Sequence, residues 1–141
     1  MLIGFSAPPP ANTPVILTQL FHNGPEDAGK AFFADLFALD PIANMTAMLP
    51  YEKLNSLLNN ATGFDGRKQF SGGAFKLPLD PEVVVNLYKD FNTFVESHER
   101  LGESMMLWEC IPYSKIIEVP NHETSFANRG DYYNVATMFK W

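Results

Sequence analysis

Apolar residues along this chain recur with a period of two in some stretches and of three to four in others. The switches between these rhythms mark its elements. Residues 15–22 have the β-branched and apolar content of a buried strand. Asn23-Gly24-Pro25 then turns the chain, and Glu26 and Asp27 follow where acidic side chains favour the first turn of a helix. Ala28, Ala31, Phe32, Leu36 and Leu39 form a helical stripe that Asp40-Pro41 ends. Residues 42–49 read as a short strand. Pro50 starts a second short helix with Tyr51, Leu54, Leu57 and Leu58 on its apolar face, and 59–66 is a polar loop.

The second half is more strongly patterned. Residues 67–77 predict a strand weakened or bulged at Gly72-Gly73. Asp80-Pro81 is a cap followed by proline at the first helical position. Val84, Leu87, Tyr88, Phe91, Phe94 and Val95 then repeat at three and four, the clearest helix in the chain, with Gly102 placed to end it. Residues 104–111 and 115–119 predict a strand pair joined by Pro112-Tyr113-Ser114, then a loop over 121–130 and a last strand over 132–141. This order predicts an α+β fold, a single antiparallel β-sheet with helices packed on one face. Residues 1–13 read as an extended N-terminal arm stiffened by Pro8-Pro9-Pro10, and 14–141 as a single α+β domain. The apolar Met1, Leu2, Ile3 and Phe5 predict that the arm lies on protein rather than in water.

Composition narrows the classes. With 46% hydrophobic and 13% aromatic residues in 141, the chain can bury a core and is not a disordered segment. A formal charge of −6 argues against nucleic acid and anionic membrane as partners, since both need clustered cations. No apolar run approaches the roughly 20 residues of a membrane span. Residues 1–10 lack the basic start of a secretory signal, so a cytoplasmic location is expected. Cys110, the single cysteine, excludes an internal disulfide framework and a cysteine-based zinc site. His22, His98 and His122 have no ligand-like spacing, so no metal is expected. There is neither a Gly-x-Gly-x-x-Gly fingerprint nor a Gly-x-Ser-x-Gly elbow. Gly72-Gly73 reads as a bulge rather than a phosphate cradle.

Two longer stretches carry a resemblance. They are Trp108-Glu109-Cys110-Ile111-Pro112-Tyr113-Ser114-Lys115 and Phe126-Ala127-Asn128-Arg129-Gly130-Asp131-Tyr132-Tyr133-Asn134, with Trp141 at the end. Together they resemble the substrate domain of the berberine bridge enzyme-like FAD-linked oxidases. That family has a Pro-Tyr-Gly-Gly turn, a Phe-Pro-His-Arg-x-Gly loop and a strand ending in Trp. Asn23-Gly24-Pro25-Glu26-Asp27-Ala28 and Ala47-Met48-Leu49-Pro50-Tyr51 are similar to its upstream motifs. The resemblance implies a ferredoxin-like α+β sheet whose open face looks onto flavin and substrate. The family's FAD-binding domain, and its segment carrying a catalytic tyrosine, fall outside these residues. Pro-Tyr-Ser-Lys replaces the double glycine, and Ala136 stands where the family often has Gln or Glu. The resemblance therefore implies a shared fold and pocket without the redox chemistry, and no cofactor is expected.

Alternation on the last strand puts Asn134, Ala136, Met138 and Lys140 on one face, and Val135, Thr137, Phe139 and Trp141 on the other. By the family register, the first set lines the pocket with Leu107, Glu109 and Ile111 of the neighbouring strand. Lys68 and Phe70, or the opposite set Gln69 and Ser71, contribute from the Gly-containing strand, and His22 marks the rim. Glu109 on a solvated sheet face is the competing placement. Arg129, Tyr132 and Tyr133 are expected to fix the loop. Leu107, Ile111, Ala136 and Met138 would form an exposed apolar patch, which predicts a cover: a second copy in a homodimer, or the arm acting as a lid.

Asn134 is the candidate donor to a substrate carbonyl and Glu109 the candidate acid or base. The expected function is a cofactor-independent cyclase or isomerase of secondary metabolism acting on an apolar small molecule, with a Diels–Alder-type cycloaddition as one form. The alternatives are the substrate-domain chain of a flavin-dependent oxidase, with FAD held by a separate chain, and a non-catalytic binder of an apolar metabolite.

Overall fold

The computed structural model describes residues 1–59, 63–97, 101–126 and 128–141. His98 and the helix end expected just before Gly102 fall outside these, as does Ala127. Among the described residues, five strands form one antiparallel sheet: β1 (Leu2–Ser6), β2 (Val15–Gln19), β3 (Lys68–Phe75), β4 (Met105–Glu109) and β5 (Tyr133–Lys140). Their spatial order is β2-β1-β4-β5-β3. The fold is α+β. The chain divides into two compact units, one of Met1–Thr18 with Gly66–Trp141, the other of Gln19–Asp65.

In the first unit the sheet packs on one long helix, α3 (Pro81–Glu96). Asp80 caps it by accepting from the Glu82 N–H at 2.9 Å, and Pro81 starts it. Its stripe buries Phe91 and Val95 against Phe5, Ala7 and Trp108. Phe5 sits between Tyr88, Phe91 and Trp108, with ring centroids 5.1, 5.9 and 4.9 Å away. Trp108 and Val135 are register partners, and both turn toward α3. The alternate residues, Leu107, Glu109, Asn134, Ala136 and Met138, share the opposite face, as the period of two predicts.

Residues 2–6 lie on protein, as their apolar side chains predict, but as a strand paired with β4 rather than as a lid, Ile3 opposite Trp108 and Phe5 opposite Met106. Its own alternation explains this: Ile3 and Phe5 point to the core, and leaving the strand would expose both. Gly72-Gly73 makes no bulge either. All eight residues of β3 pair with β5 in unbroken register. A Cβ at Gly73 would lie 3.3 Å from the Val135 side chain, so this glycine makes room for its neighbour.

Residues 115–119 are not a strand. Both sides of β4 are taken, by β1 and β5, which leaves no position beside it. The segment instead turns once as α4 (Ser114–Ile117), with the Ile116 and Ile117 N–H groups donating to the Tyr113 carbonyl.

In the second unit the expected single helix is two short ones, α1 (Glu26–Phe32) and α2 (Ala34–Phe37), broken at Phe33. Residues 42–49 form no strand. Asn44 Oδ1 accepts from the Thr46 N–H at 3.0 Å and from its hydroxyl at 2.7 Å, a local turn that competes with sheet pairing. Tyr51–Ser56 is a 3₁₀ helix rather than an α-helix.

Candidate functional site

β4 leaves the sheet at Glu109 and β5 enters it at Tyr133, and the two strands are antiparallel neighbours. The connecting segment, 110–132, therefore begins and ends at one end of the sheet. Between it and the strand ends lies a cavity of about 170 Å³. Glu109 and Asn134, direct partners in the β4–β5 register, both line it. Ile111 joins them, and Tyr113, Phe126, Tyr132 and Tyr133 supply aromatic wall.

The wall is held by its own contacts. Tyr133 stacks on Phe75 at 5.5 Å and meets Tyr113 edge-on at 5.1 Å. Arg129 donates through Nη1 to the Ile116 carbonyl at 3.1 Å and through Nη2 to the Thr124 hydroxyl at 2.6 Å. Its guanidinium also sits 5.2 Å from the Phe126 ring centre. Arg129 thus ties α4 to the loop, as expected. Gly130 is required by close approach, because a Cβ there would run into the Tyr132 ring.

The polar groups are connected. The Tyr132 hydroxyl donates to Asn128 Oδ1 at 2.6 Å, and Asn128 Nδ2 donates to Asn134 Oδ1 at 2.7 Å. With Oδ1 engaged, Asn134 offers Nδ2 as its donor. Beside Glu109, burial pushes the Cys110 thiol above its ordinary value. Lys76, just past β3, holds the Asp131 carboxyl below its usual range through a 2.9 Å hydrogen bond and its charge. Both groups are exposed.

The candidate residues separate into groups. Glu109, Asn134 and Ile111 meet at the cavity. Leu107, Ala136, Met138 and Phe70 share the sheet face but do not line it. Leu107 and Met138 are 8% and 3% exposed within the single chain, so the bare apolar patch that called for a second copy or a lid does not exist at these positions. Phe70 is 65% exposed on the edge strand, opposite Met138. Lys140 is buried and paired with Glu103 at 2.5 Å.

His22 does not line the Glu109 cavity. It lines one of about 100 Å³ inside the 19–65 unit, with Glu26, Lys30, Phe33 and Met48 among its walls. Tyr113, Phe126, Asn128 and Tyr132 belong to the site without having been singled out as ligand contacts. The available signal was topological: a long connection between antiparallel neighbours must fold back over the end of its own strands.

Among the described residues, no cluster of three or more His, Cys, Asp or Glu could hold a metal ion, and no helix is long and apolar enough to cross a membrane. No family model matches the chain, and no solved structure matches it. It is similar to the FAD-linked oxidoreductase pgmH of Aspergillus terreus, in two sequences of that protein, one of them from strain NIH 2624 / FGSC A1156. In each case identity is 24% over 127 residues, covering 87% of this chain and 26% of the relative. The chain thus spans about a quarter of the length of the relatives it matches. Over that quarter it is distantly related to FAD-linked oxidases.

Proposed function

We propose that the Glu109–Asn134 cavity binds a small monocyclic carbonyl compound and catalyses its isomerisation by proton transfer, without a cofactor. One observation carries this reading: a carboxylate and an amide donor stand opposite each other on adjacent strands and line one aromatic-walled cavity. An engineered cavity of about 150 Å³ takes benzene, so about 170 Å³ suits one six-membered ring.

Asn134 Nδ2 donates to the carbonyl oxygen. In a ring with a β,γ double bond, the Glu109 carboxylate takes a proton from the carbon between that bond and the carbonyl, whose C–H electron pair becomes the enolate double bond. Asn134 stabilises the negative charge that develops on oxygen. The Glu109 carboxyl then returns the proton to a carbon further along the conjugated system, so the double bond moves and no atom is gained or lost. Ile111 and the aromatic walls give the ring apolar contact on its faces. Folding a long polyene for cycloaddition needs a larger enclosure, so of the two expected reactions isomerisation is the one proposed.

FAD does not fit this cavity. Pockets that enclose drug-sized ligands run to about 300–1,000 Å³, and FAD is larger than most such ligands. No step here passes through it. The distant relationship nevertheless favours a second reading, in which the cavity is the substrate side of a flavin-dependent oxidase and other residues hold the flavin. The deciding experiment incubates purified protein with cyclohex-2-enone, the conjugated product of such a shift, in D2O and follows deuterium incorporation at its γ carbon by NMR. Exchange above the buffer rate, in protein without flavin absorbance, supports the isomerase. Exchange only at the buffer rate, with FAD captured from solution, supports the oxidase.

A further inference from the structure

The relay behind Asn134 can run in two directions, and one of them fits the bond lengths and donor strengths better. Two amides and a phenol in series, Tyr132–Asn128–Asn134, can be threaded two ways. In one the phenol donates to Asn128 Oδ1 and Asn128 Nδ2 donates to Asn134 Oδ1, leaving Asn134 Nδ2 for the cavity. In the other every donor and acceptor is exchanged and the cavity receives Asn134 Oδ1. The Tyr132–Asn128 separation is 2.6 Å. That lies within the usual span of about 2.5–3.0 Å for O–H···O and below the roughly 2.7–3.2 Å of N–H···O. A phenol is also the stronger donor of the two groups and an amide oxygen the stronger acceptor. The first threading fits, and the 2.7 Å Asn128–Asn134 bond completes it.

We infer that Tyr132 and Asn128 are positioning residues that make the site selective for acceptor-bearing ring compounds, ketones and enones, over donor-bearing phenols of the same size. Neither residue contacts the reacting atoms in the proposed isomerisation. Tyr132 fixes the rotation of the Asn128 amide, and Asn128 fixes that of Asn134. Gly130 belongs to the device, because a side chain there would displace the Tyr132 ring. The inference rests on the cavity being a ligand site, as proposed above, and adds the ligand's polarity.

Cyclohex-2-enone and phenol make a matched pair of probes, each one six-membered ring with one oxygen. Dissociation constants for both come from ligand-observed NMR titration of the full chain at neutral pH. The wild type should prefer the enone by about two- to tenfold, the worth of one net hydrogen bond. Asn128→Asp is the decisive variant. A carboxylate accepts from Tyr132 and can accept from Asn134 Nδ2 as well, so the Asn134 amide turns over and presents Oδ1. The preference should then pass to phenol. Tyr132→Phe frees the Asn128 amide and should bring the ratio toward one.

Asn128 is exposed, and thermal melts of each variant confirm that it is folded. Should Asn128→Asp be too unstable, Tyr132→Phe alone decides through the collapse or persistence of the ratio. A wild-type preference for phenol, or a ratio unmoved by both variants, overturns the relay while the cavity stands as a ligand site. If neither probe binds the wild type, the ligand site itself falls and the relay's role falls with it.

Discussion

Glu109 and Asn134 face each other directly across the β4–β5 ladder, Glu109 as the last residue of β4 and Asn134 as the second of β5, where both strands meet the 110–132 segment. Opposed positions in an antiparallel pair put side chains about 4.5–5.5 Å apart at Cβ. A carboxylate and an amide at such a position can act on adjacent atoms of one small ligand.

That pairing predicts two separable losses in deuterium exchange into cyclohex-2-enone. Glu109→Gln keeps the shape and removes the base, and should lower the rate by about 10²–10⁴-fold. Asn134→Ala removes the donor and should cost about 10²–10³-fold. Thermal melts unchanged from wild type should accompany both. A Glu109→Gln protein exchanging at the wild-type rate would remove Glu109 from the chemistry.

The strand formed by Leu2–Ser6 predicts that residue 5 is a stability determinant rather than part of a tether. Phe5 is 3% exposed among three aromatic rings. Phe5→Ala should destabilise by about 3–5 kcal/mol in urea titration, through lost burial and the cavity left behind. A cost under 1 kcal/mol, as at exposed sites, would contradict the sheet order.

Lys76 and Asp131 join the end of β3 to the approach of β5. The folded-state pKa of Asp131 is depressed, chiefly by the Lys76 hydrogen bond and then by its charge. Its contribution is therefore present above the unfolded value, near about 4, and is lost as pH falls through the folded value. Lys76 is raised, first by the same hydrogen bond, so its share is present below the ordinary lysine range and is lost as pH rises through the folded value. Asp131→Asn should lower the melting temperature slightly at neutral pH and have no effect in strong acid. Added salt should shrink the difference. An Asp131→Asn deficit that is the same at neutral pH and in strong acid would contradict the pairing.

Burial raises the Cys110 thiol, so less thiolate forms at a given pH than in an open cysteine. Alkylation by iodoacetamide should run slower than for a small free thiol at mildly alkaline pH, and unfolding in urea should restore the full rate. Equal rates with and without urea would show the thiol to be open.

Local sequence alone specified the elements whose signals are self-contained. The Asp80-Pro81 start and the apolar stripe of α3 need no distant partner. The two-residue alternation of 134–140 assigned each side chain to a face, because a strand's pleat allows no other arrangement. The same alternation placed Glu109 with Asn134, and the motif stretches at 108–115 and 126–134 marked the segments that meet there.

Tertiary structure decided what depends on competition for neighbours. Residues 115–119 and 2–6 both had strand-forming side chains, but β4 has only two edges, and β1 and β5 took them. Residues 42–49 found no strand to pair with, so local hydrogen bonds set their path. Phe70, Leu107, Ala136 and Met138 share a face with Glu109, yet enclosure depends on where the chain folds back, and that happens only at the strand ends. His22 lines a cavity built from its own unit. Periodicity fixes which way a side chain points, since that follows from backbone geometry a few residues long. Which groups surround it is a long-range matter that only the folded chain settles.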